Sequence, residues 1–479
     1  MFEMKKAKLF ILSIALMFIG IIGVNAEEIT VCSSGCTYDS IASVIDRTDL
    51  NGKTVKMTEN MKISTSASLI KSSINFDLGG NTLVLEDTVL AMRGVDVTFD
   101  NGTIVMENEG SLYLLGFPDE SSEKTHLLMG KNLTISADET AIAIIPNGTD
   151  LSVYNTTLDV KGEIISGSFA ITIHGDQKAV SSKAPVVNIY DTASLRSTGS
   201  AAIYGAGYGF WNINGGTIEG EEALSIKSGE YTITGGKFSA TGEYIENPVS
   251  KPNGNEPTGA VISITANNGY PGHVKMNISG GEFTSKNGNA IYEGQTNSNS
   301  TVVDEIKISD GKFISAEGKA TVRVTSTSDK LEGFIAGGEY SEDPKEELIV
   351  QNKVTKQLPN GNYVIGEERN IKVADTKNGK VTVDKSKAVK GEIIKLTITP
   401  DKGYELDKII VKGLQDQKEI TGTEFEMIDE DIEFVVTFKK VSTSVKNPNT
   451  GDNIMMILSI AFISLAGIIA ASKKLKSNC

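Results

Sequence analysis

The sequence of 479 residues is short of several residue types, and each shortage narrows what the protein can be. It has one tryptophan, three histidines, three cysteines and 11 prolines. Basic residues are outnumbered by acidic ones, 46 to 61, and the net charge of −15 argues against a nucleic-acid partner. Hydrophobic residues make up 39% of the chain, which indicates a folded protein. The 48 glycines, with many Thr, Ser, Ile and Val, favour strands joined by tight turns.

The sequence also lacks a catalytic motif that stands above chance. LGGN at Leu78–Asn81 is a glycine corner without the helix that phosphate binding requires. Two sets of residues come nearest to a lyase or hydrolase site. The first is Arg93, Asp96 and Asp100, and the second is His174, Gly175 and Asp176. Asp100 also fits a turn position and His174 a strand end, while His126 and His273 fit polar loops. We therefore predict no catalytic residue, no metal and no cofactor.

The N-terminus has the pattern of a secretory signal peptide over residues 1–26. Lysines 5, 6 and 8 form a positive region, and an apolar core follows at Leu9–Gly23. Val24–Ala26 then places small residues before a cleavage point at Glu27. An uncleaved membrane anchor is the alternative.

The C-terminus has an apolar run of membrane-spanning length at Ile454–Ala471, followed by a basic tail at 472–479. A linker at 441–453 carries the motif NPNTG immediately before this run. The order of motif, span and basic tail resembles the sorting signal of Gram-positive surface proteins, in which a sortase joins Thr to peptidoglycan. The resemblance implies sortase recognition by Asn447, Pro448, Asn449, Thr450 and Gly451. Asn447 departs from the usual Leu, so an ordinary tail anchor in the membrane is the alternative.

Cysteine use agrees with export, because one of the three cysteines, Cys479, lies in the tail that sorting would remove. The other two stand in CSSGC at Cys32 and Cys36. A small loop around Gly35 brings their sulfurs together, so a disulfide is favoured over two free thiols. Metal binding is the weakest interpretation, since no further cysteine or histidine lies nearby.

A glycine-centred phrase recurs along the chain and predicts a coiled repeat. It is an aliphatic residue, a Gly-Gly or Asp-Gly pair and a bulky apolar residue, and it occurs as INGGTI (213–218), ITGGKF (233–238), ISGGEF (278–283), ISDGKF (308–313) and IAGGEY (335–340). The aliphatic residue ends one strand inside the coil, and the bulky residue begins the next. Glycine allows the sharp corner between them. Stacked coils would share one apolar core, with an inserted loop at Asn247–Gly259.

The segments TYDSIASVID (37–46), TVKMTENMKISTS (54–66) and FDLGGNTL (76–83) resemble right-handed parallel β-helix proteins of the pectin-lyase-like superfamily. The resemblance implies a β-helix over residues 27–366, of about a dozen coils. A short amphipathic helix at 38–46 would cap its first coil. This scaffold serves lyases, hydrolases, adhesins and passive stalks, so it does not fix the function.

The chain changes character after Glu368, where alternating strands such as IIKLTIT (393–399) and IEFVVTF (432–438) appear. PDKGYELDKIIVKG (400–413) and FEMIDEDIEFVVTF (425–438) resemble the internalin B-repeat modules of bacterial surface proteins. We expect a small antiparallel β domain at 369–440. The whole fold is then all-β, with helices only at the two ends.

One aromatic cluster, YGAGYGFW at 204–211, is the best sequence candidate for a ligand site. If it is exposed, Tyr204, Tyr208 and Trp211 would form a stacking platform for sugar rings; if it is buried, they fill the coil. The sequence as a whole predicts an extracellular, wall-attached or membrane-attached protein that binds a glycan or a host surface without catalysis. A polysaccharide lyase or hydrolase and a passive wall component are the alternatives.

Overall fold

The computed structural model describes residues 28–31, 44–117, 123–146, 153–295, 301–413 and 417–442. These residues form strands and two short 3-10 helices, which confirms an all-β fold with long parallel sheets. Within these ranges no helix has the length and hydropathy needed to cross a bilayer. The signal peptide (1–26), the Cys32–Cys36 pair, the sorting motif (447–451), the span (454–471) and the basic tail lie outside the described residues. So does most of the predicted helix at 38–46, although its Val44 and Ile45 are buried.

The chain winds through three parallel sheets, placing one strand in each sheet per coil. The ten-stranded third sheet receives one strand from every coil, so the described residues form ten complete coils. This is fewer than the expected dozen because some coils carry long excursions. Phe210 pairs with Glu230 in the next coil, 20 residues later, whereas Glu230 pairs with Lys275, 45 residues later. The right-handed winding stays a prediction.

The strands of each sheet follow in chain order. The first sheet contains Glu28–Val31, Lys53–Met57, Ile74–Asp77, Asp96–Asp100, Thr125–Met129, Thr156–Val160, Val186–Ile189, Phe210–Ile213 and Glu230–Ile233. The second contains Met61–Ile63, Thr82–Glu86, Gly102–Glu107, Leu133–Ala137, Glu163–Ser166, Ser194–Ser197, Thr217–Gly220, Lys237–Ala240 and Gly338–Tyr340. The third contains Ala67–Ile70, Val89–Met92, Ser111–Leu115, Ile142–Ile145, Ile171–Ile173, Ala201–Gly205, Glu222–Ile226, Ile262–Ala266, Ile291–Gln295 and Val322–Val324. Two long strands serve both the first and second sheets, and they are Val274–Ser285 and Val303–Ile314.

The core is one continuous apolar cluster inside the coils, with equivalent residues stacked directly above one another. The bulky residues of the glycine phrase show this most clearly. Phe238, Phe283, Phe313 and Tyr340 form a ladder with ring centroids 4.5, 4.8 and 5.0 Å apart and nearly parallel planes. All four side chains are buried, as the repeat predicts. Each ring thus packs against the same position of the next coil.

The glycine pair makes the corner between the first and second sheets. The second glycine of the pair has a positive φ throughout, for example +105° at Gly281 and +131° at Gly311. Side chains resist this conformation. A Cβ on Gly281 would also lie 3.2 Å from the Phe283 ring and 3.3 Å from the Phe238 ring. The corner therefore needs glycine both for the backbone turn and for the aromatic ladder.

The last coil is closed by elements that no longer wind. Two 3-10 helices, Asp329–Leu331 and Glu346–Leu348, precede an antiparallel pair of strands, Val354–Gln357 and Tyr363–Gly366. Tyr363–Gly366 also pairs antiparallel with the last strand of the second sheet. This hairpin covers the open edge of the second sheet at that end.

The small domain that follows has its own core. Its strands are Arg369–Val373, Gly379–Val383, Lys387–Ala388, Ile393–Pro400, Tyr404–Lys412, Gln417–Ile420, Glu424–Glu426 and Ile432–Lys440. The purely antiparallel arrangement that we expected is wrong in one place, because the first strand pairs parallel with the last, Ile371 opposite Ile432. The two strands are far apart in sequence, so no hairpin forces them to run in opposite directions.

The aromatic ladder generates a stability prediction. Phe283→Ala should lower the free energy of unfolding by about 3–5 kcal/mol, because it leaves a cavity between two stacked rings. Phe210→Ala is the matched control, since Phe210 is only half-buried on the first sheet, and it should cost about 1 kcal/mol or less. Thermal denaturation followed by circular dichroism measures both. Equal losses for the two variants would contradict the internal position of the ladder.

Candidate functional site

A cleft of about 550 Å³ lies on the outward face of the third sheet, and we call it the tyrosine cleft. Strands of four successive coils form its floor, and one wall comes from the segments around residues 253 and 267–270. The cleft is lined by side chains that include those of Tyr113, Ala143, Ile145, Phe169, Thr172, His174, Asp176, Tyr204, Ala206, Asn253, Asn267 and Tyr270.

The floor of the cleft follows from the register of the third sheet. Tyr113 pairs with Ala143, Ala143 with Thr172, and Thr172 with Tyr204, so these four residues form one column. Equivalent residues of paired parallel strands point to the same face, here outward. Ala143 is the smallest of the four and leaves a recess between Tyr113 and Thr172.

Aromatic rings form the wall of the cleft. Tyr204 stacks on Phe169 with ring centroids 4.6 Å apart and meets Tyr270 edge-on at 6.5 Å. The Tyr204 hydroxyl donates to the Tyr270 hydroxyl at 3.1 Å. Burial raises the pKa of Tyr204, so this phenol stays neutral. Gly175 makes room for the wall, since a Cβ there would lie 2.5 Å from the Tyr270 ring.

The HGD turn after strand Ile171–Ile173 supplies the charged groups of the cleft. Nδ1 of His174 lies 3.4 Å from the Asp176 carboxylate and 3.3 Å from the Asp176 backbone N–H. Both side chains are more than half exposed. When Nδ1 accepts from the backbone N–H, Nε2 carries the proton and is available to a ligand.

The inserted segment predicted around 247–259 folds over the third sheet next to the cleft and is held by a buried polar network. Lys227 pairs with Glu256 of the insert, and both side chains are fully buried. Glu256 also accepts from Ser250 at 2.9 Å and from Asn267 at 3.1 Å. Because Asn267 borders the cleft, this network fixes the position of the cleft wall.

Glu222 anchors the other end of the insert. One of its carboxyl oxygens accepts from the backbone N–H and the hydroxyl of Thr258, at 2.8 and 2.7 Å. The other oxygen is buried and, among the described residues, has no hydrogen-bond partner. Burial raises the pKa of Glu222, and the bonds from Thr258 oppose this only in part.

The stacking platform proposed from the sequence is wrong as a group. Trp211 lies inside the coil, is 0% exposed and stacks on Tyr231 at 5.8 Å, so no sugar can reach it. Tyr208 is also buried, and its hydroxyl donates to Glu230 at 2.8 Å. Tyr204 alone of the three lines the cleft. The structure brings it together with His174 and Asp176, which the sequence had suggested separately.

His126 does not lie in a loop as we expected but in a strand of the first sheet. Its ring nitrogens lie 2.8 Å from Asp96 and 3.1 Å from Asp159. The hydrogen bond to Asp159 raises the pKa of His126 against the opposing effect of burial. A histidine with a carboxylate at each ring nitrogen is committed to contacts within the fold and is not a free base. Register was the signal that sequence reasoning missed, because Asp96 and His126 face each other in adjacent coils.

The other charged residues that the sequence suggested for a site have structural roles. The Asp100 carboxylate accepts from the backbone N–H groups of Asn101 and Asn132, at 2.8 and 3.0 Å, as a turn residue does. Arg93 lies over the Phe117 ring at 4.8 Å. Across the described part of the chain, no group of three or more His, Cys, Asp or Glu residues is arranged to hold a metal.

Glu222 generates a pH prediction. A carboxyl whose pKa is raised by folding stabilises the protein below its unfolded pKa, and this contribution is lost as pH rises through the folded pKa. The free energy of unfolding of Glu222→Gln, relative to that of the wild type, should therefore rise by about 1–3 kcal/mol between pH 5 and pH 8. Glu243→Gln, at an exposed position four residues before the insert, should show no such trend. Melting temperatures across this range measure the effect, and parallel curves for wild type and Glu222→Gln would contradict it.

Comparison with known families found a match to the small domain. Residues 369–442 match the family model of the divergent InlB B-repeat domain. Domains of this kind occur in surface-exposed bacterial proteins. No curated protein and no solved structure matches the chain. The relation of the β-helix to pectin-lyase-like proteins therefore stays a prediction. The domain at 369–442 is similar to the InlB B-repeat domain, and we call it the B-repeat-like domain.

Proposed function

We propose that this protein is a bacterial surface protein whose β-helix binds a glycan in the tyrosine cleft and does not alter it chemically. The observation that carries the proposal is the composition of the cleft. Aromatic rings of Tyr113 and Tyr270 stand beside the hydroxyl of Thr172 and the imidazole of His174. Aromatic rings pack against the apolar faces of sugars, and neutral polar groups bind their hydroxyls.

The B-repeat-like domain supports the surface location. The signal-peptide pattern and the C-terminal apolar run of the sequence agree with export. Attachment to peptidoglycan through Thr450 extends this proposal. Mass spectrometry of wall digests tests it, since sortase cleavage leaves Thr450 as a C-terminal residue joined to a wall peptide, whereas an uncut protein keeps Gly451.

A carbohydrate-active enzyme is the second candidate, and the His174–Asp176 pair in the cleft is the observation that favours it. A general acid or base must lie within reach of the bond it cleaves. Hydrolases of polysaccharides mostly use two carboxyl groups that flank this bond. Of the described residues lining the cleft, Asp176 is the one that carries a carboxyl group, which favours binding over hydrolysis.

The cleft generates a binding prediction. On a glycan array, the full-length protein in mild detergent should bind a defined set of sugars, and Tyr270→Ala should weaken this binding at least tenfold, because it removes a wall of the cleft. Tyr190→Ala is the matched control, since Tyr190 is a half-buried tyrosine that follows the first-sheet strand Val186–Ile189. Its ring centroid lies 4.8 Å from Nζ of Lys161. This variant should bind as the wild type does.

Two outcomes would contradict the proposal. A blank array, or sugar binding that Tyr270→Ala leaves intact, would show that the cleft is not a glycan site. Release of unsaturated products or reducing ends from pectin, alginate or glycosaminoglycans, lost in His174→Ala, would show that the enzyme interpretation is correct.

A further inference from the structure

The charges of the tyrosine cleft restrict which glycans it can hold. Of the described residues that line it, none is Lys or Arg, and its one carboxyl group is that of Asp176, beside the His174 imidazole. The Asp176 side chain is 53% exposed and lies 3.4 Å from His174. A uronic acid or sulfated sugar would bring an anion next to this carboxylate with no fixed cation to pair with. Desolvating an unpaired anion there is unfavourable.

The recess at Ala143 adds a restriction of shape. Ala143 lies between Tyr113 and Thr172 in the outward column, and Ile145, two residues further along the same strand, also lines the cleft. Strands two coils apart are about 9.6 Å apart, so a side chain as small as alanine leaves a notch between its neighbours. The floor of the notch is apolar, because Ala143, which is 5% exposed, and Ile145 form it.

Neutral hydrogen-bonding groups surround this notch. The hydroxyl of Tyr270 accepts from Tyr204 and keeps its own proton for a ligand. The Asn253 side chain is exposed at the rim. The Thr172 hydroxyl lies on the floor, where it donates to the Tyr204 backbone carbonyl at 2.9 Å and can still accept from a ligand. Such groups can bind the carbonyl and the N–H of a secondary amide without a charge on either partner.

We propose that the tyrosine cleft recognises a neutral N-acetylated sugar, with the acetamido methyl against Ala143 and its amide bonded by the neutral groups around it. This inference rests on the proposed glycan-binding function and adds the class of sugar. Uronic acids, sulfated sugars and lactyl-substituted sugars are excluded by charge. Hexoses with a plain hydroxyl at the same carbon fill the cleft less well, because the notch stays empty.

The central comparison uses two tetrasaccharides that share a β-1,4 gluco backbone. Isothermal titration calorimetry of the full-length protein should show binding of N-acetylglucosamine tetramer at least tenfold tighter than of cellotetraose, which differs only in the acetamido group. Tetragalacturonate and a peptidoglycan glycan strand, both of which carry carboxylates, should not bind. The strand also separates the cell wall from other sources of N-acetylglucosamine.

Two variants assign the preference to the notch. Ala143→Leu fills it and should bring the affinity ratio between the two neutral tetramers to about one. Ala91→Leu is the matched control, because Ala91 pairs with Tyr113 in the same column but does not line the cleft. It should keep the wild-type ratio, and circular dichroism confirms that both variants fold.

The results separate failure of this inference from failure of the proposed function. Equal or tighter binding of cellotetraose, tetragalacturonate or the peptidoglycan strand, lost in Tyr270→Ala, would overturn the preference for neutral acetamido sugars while leaving a glycan site in the cleft. An unchanged preference in Ala143→Leu would equally overturn it. If none of these sugars binds and the glycan array is blank, the glycan-binding function itself is wrong.

Discussion

The structure depends on one constraint, which is that each coil must place the same kind of side chain directly above that of the coil before. Parallel strands about 4.8 Å apart leave room for one aromatic ring per coil, and the ladder from Phe238 to Tyr340 has this spacing. The glycine corners are needed for this stacking, since a Cβ at Gly281 or Gly311 would press on the rings. Because each coil contacts only its neighbours, the core extends without a fixed length. The antiparallel hairpin at Tyr363–Gly366 ends it.

The same register that fills the inside arranges the outside in columns, and the candidate site is a consequence. Outward positions do not have to fill the core of the coils, so Ala143 can stand between Tyr113 and Thr172 and open a recess. The long excursion within one coil, between the strands Lys237–Ala240 and Ile262–Ala266, supplies part of the wall. Its burial rests on Lys227, Glu256 and Glu222, charged groups that are costly inside a protein unless they are paired or neutral. A site of this kind needs a rigid sheet and a fixed loop, and the β-helix provides both.

The sequence predicts the repeated features of this fold but not the contacts between residues of different coils. Ile213 and Phe238 were predicted inside the coil and are buried there, because the glycine phrase fixes their orientation locally. Trp211 was offered as a ligand contact although it precedes the INGG corner by two residues and shares the inward face of Ile213. His126 was placed in a loop because its partners, Asp96 and Asp159, lie 30 and 33 residues away. Coil lengths that range from 20 to 45 residues hide such pairs from a linear reading.

Distances between spin labels along one outward column of the second sheet test the stacked coil most directly. Lys62, Arg196, Ser239 and Thr284 belong to one such column. The native cysteines are replaced by serine, and one label is placed at Lys62. The second label should lie about 24 Å away at Arg196, about 34 Å away at Ser239 and about 38 Å away at Thr284, because each coil adds one strand spacing. Moving the second label from Ser239 to Thr284, a step of 45 residues along the chain, should thus add only about 5 Å. A much larger or negative change over that step would show that the two segments do not stack in adjacent coils.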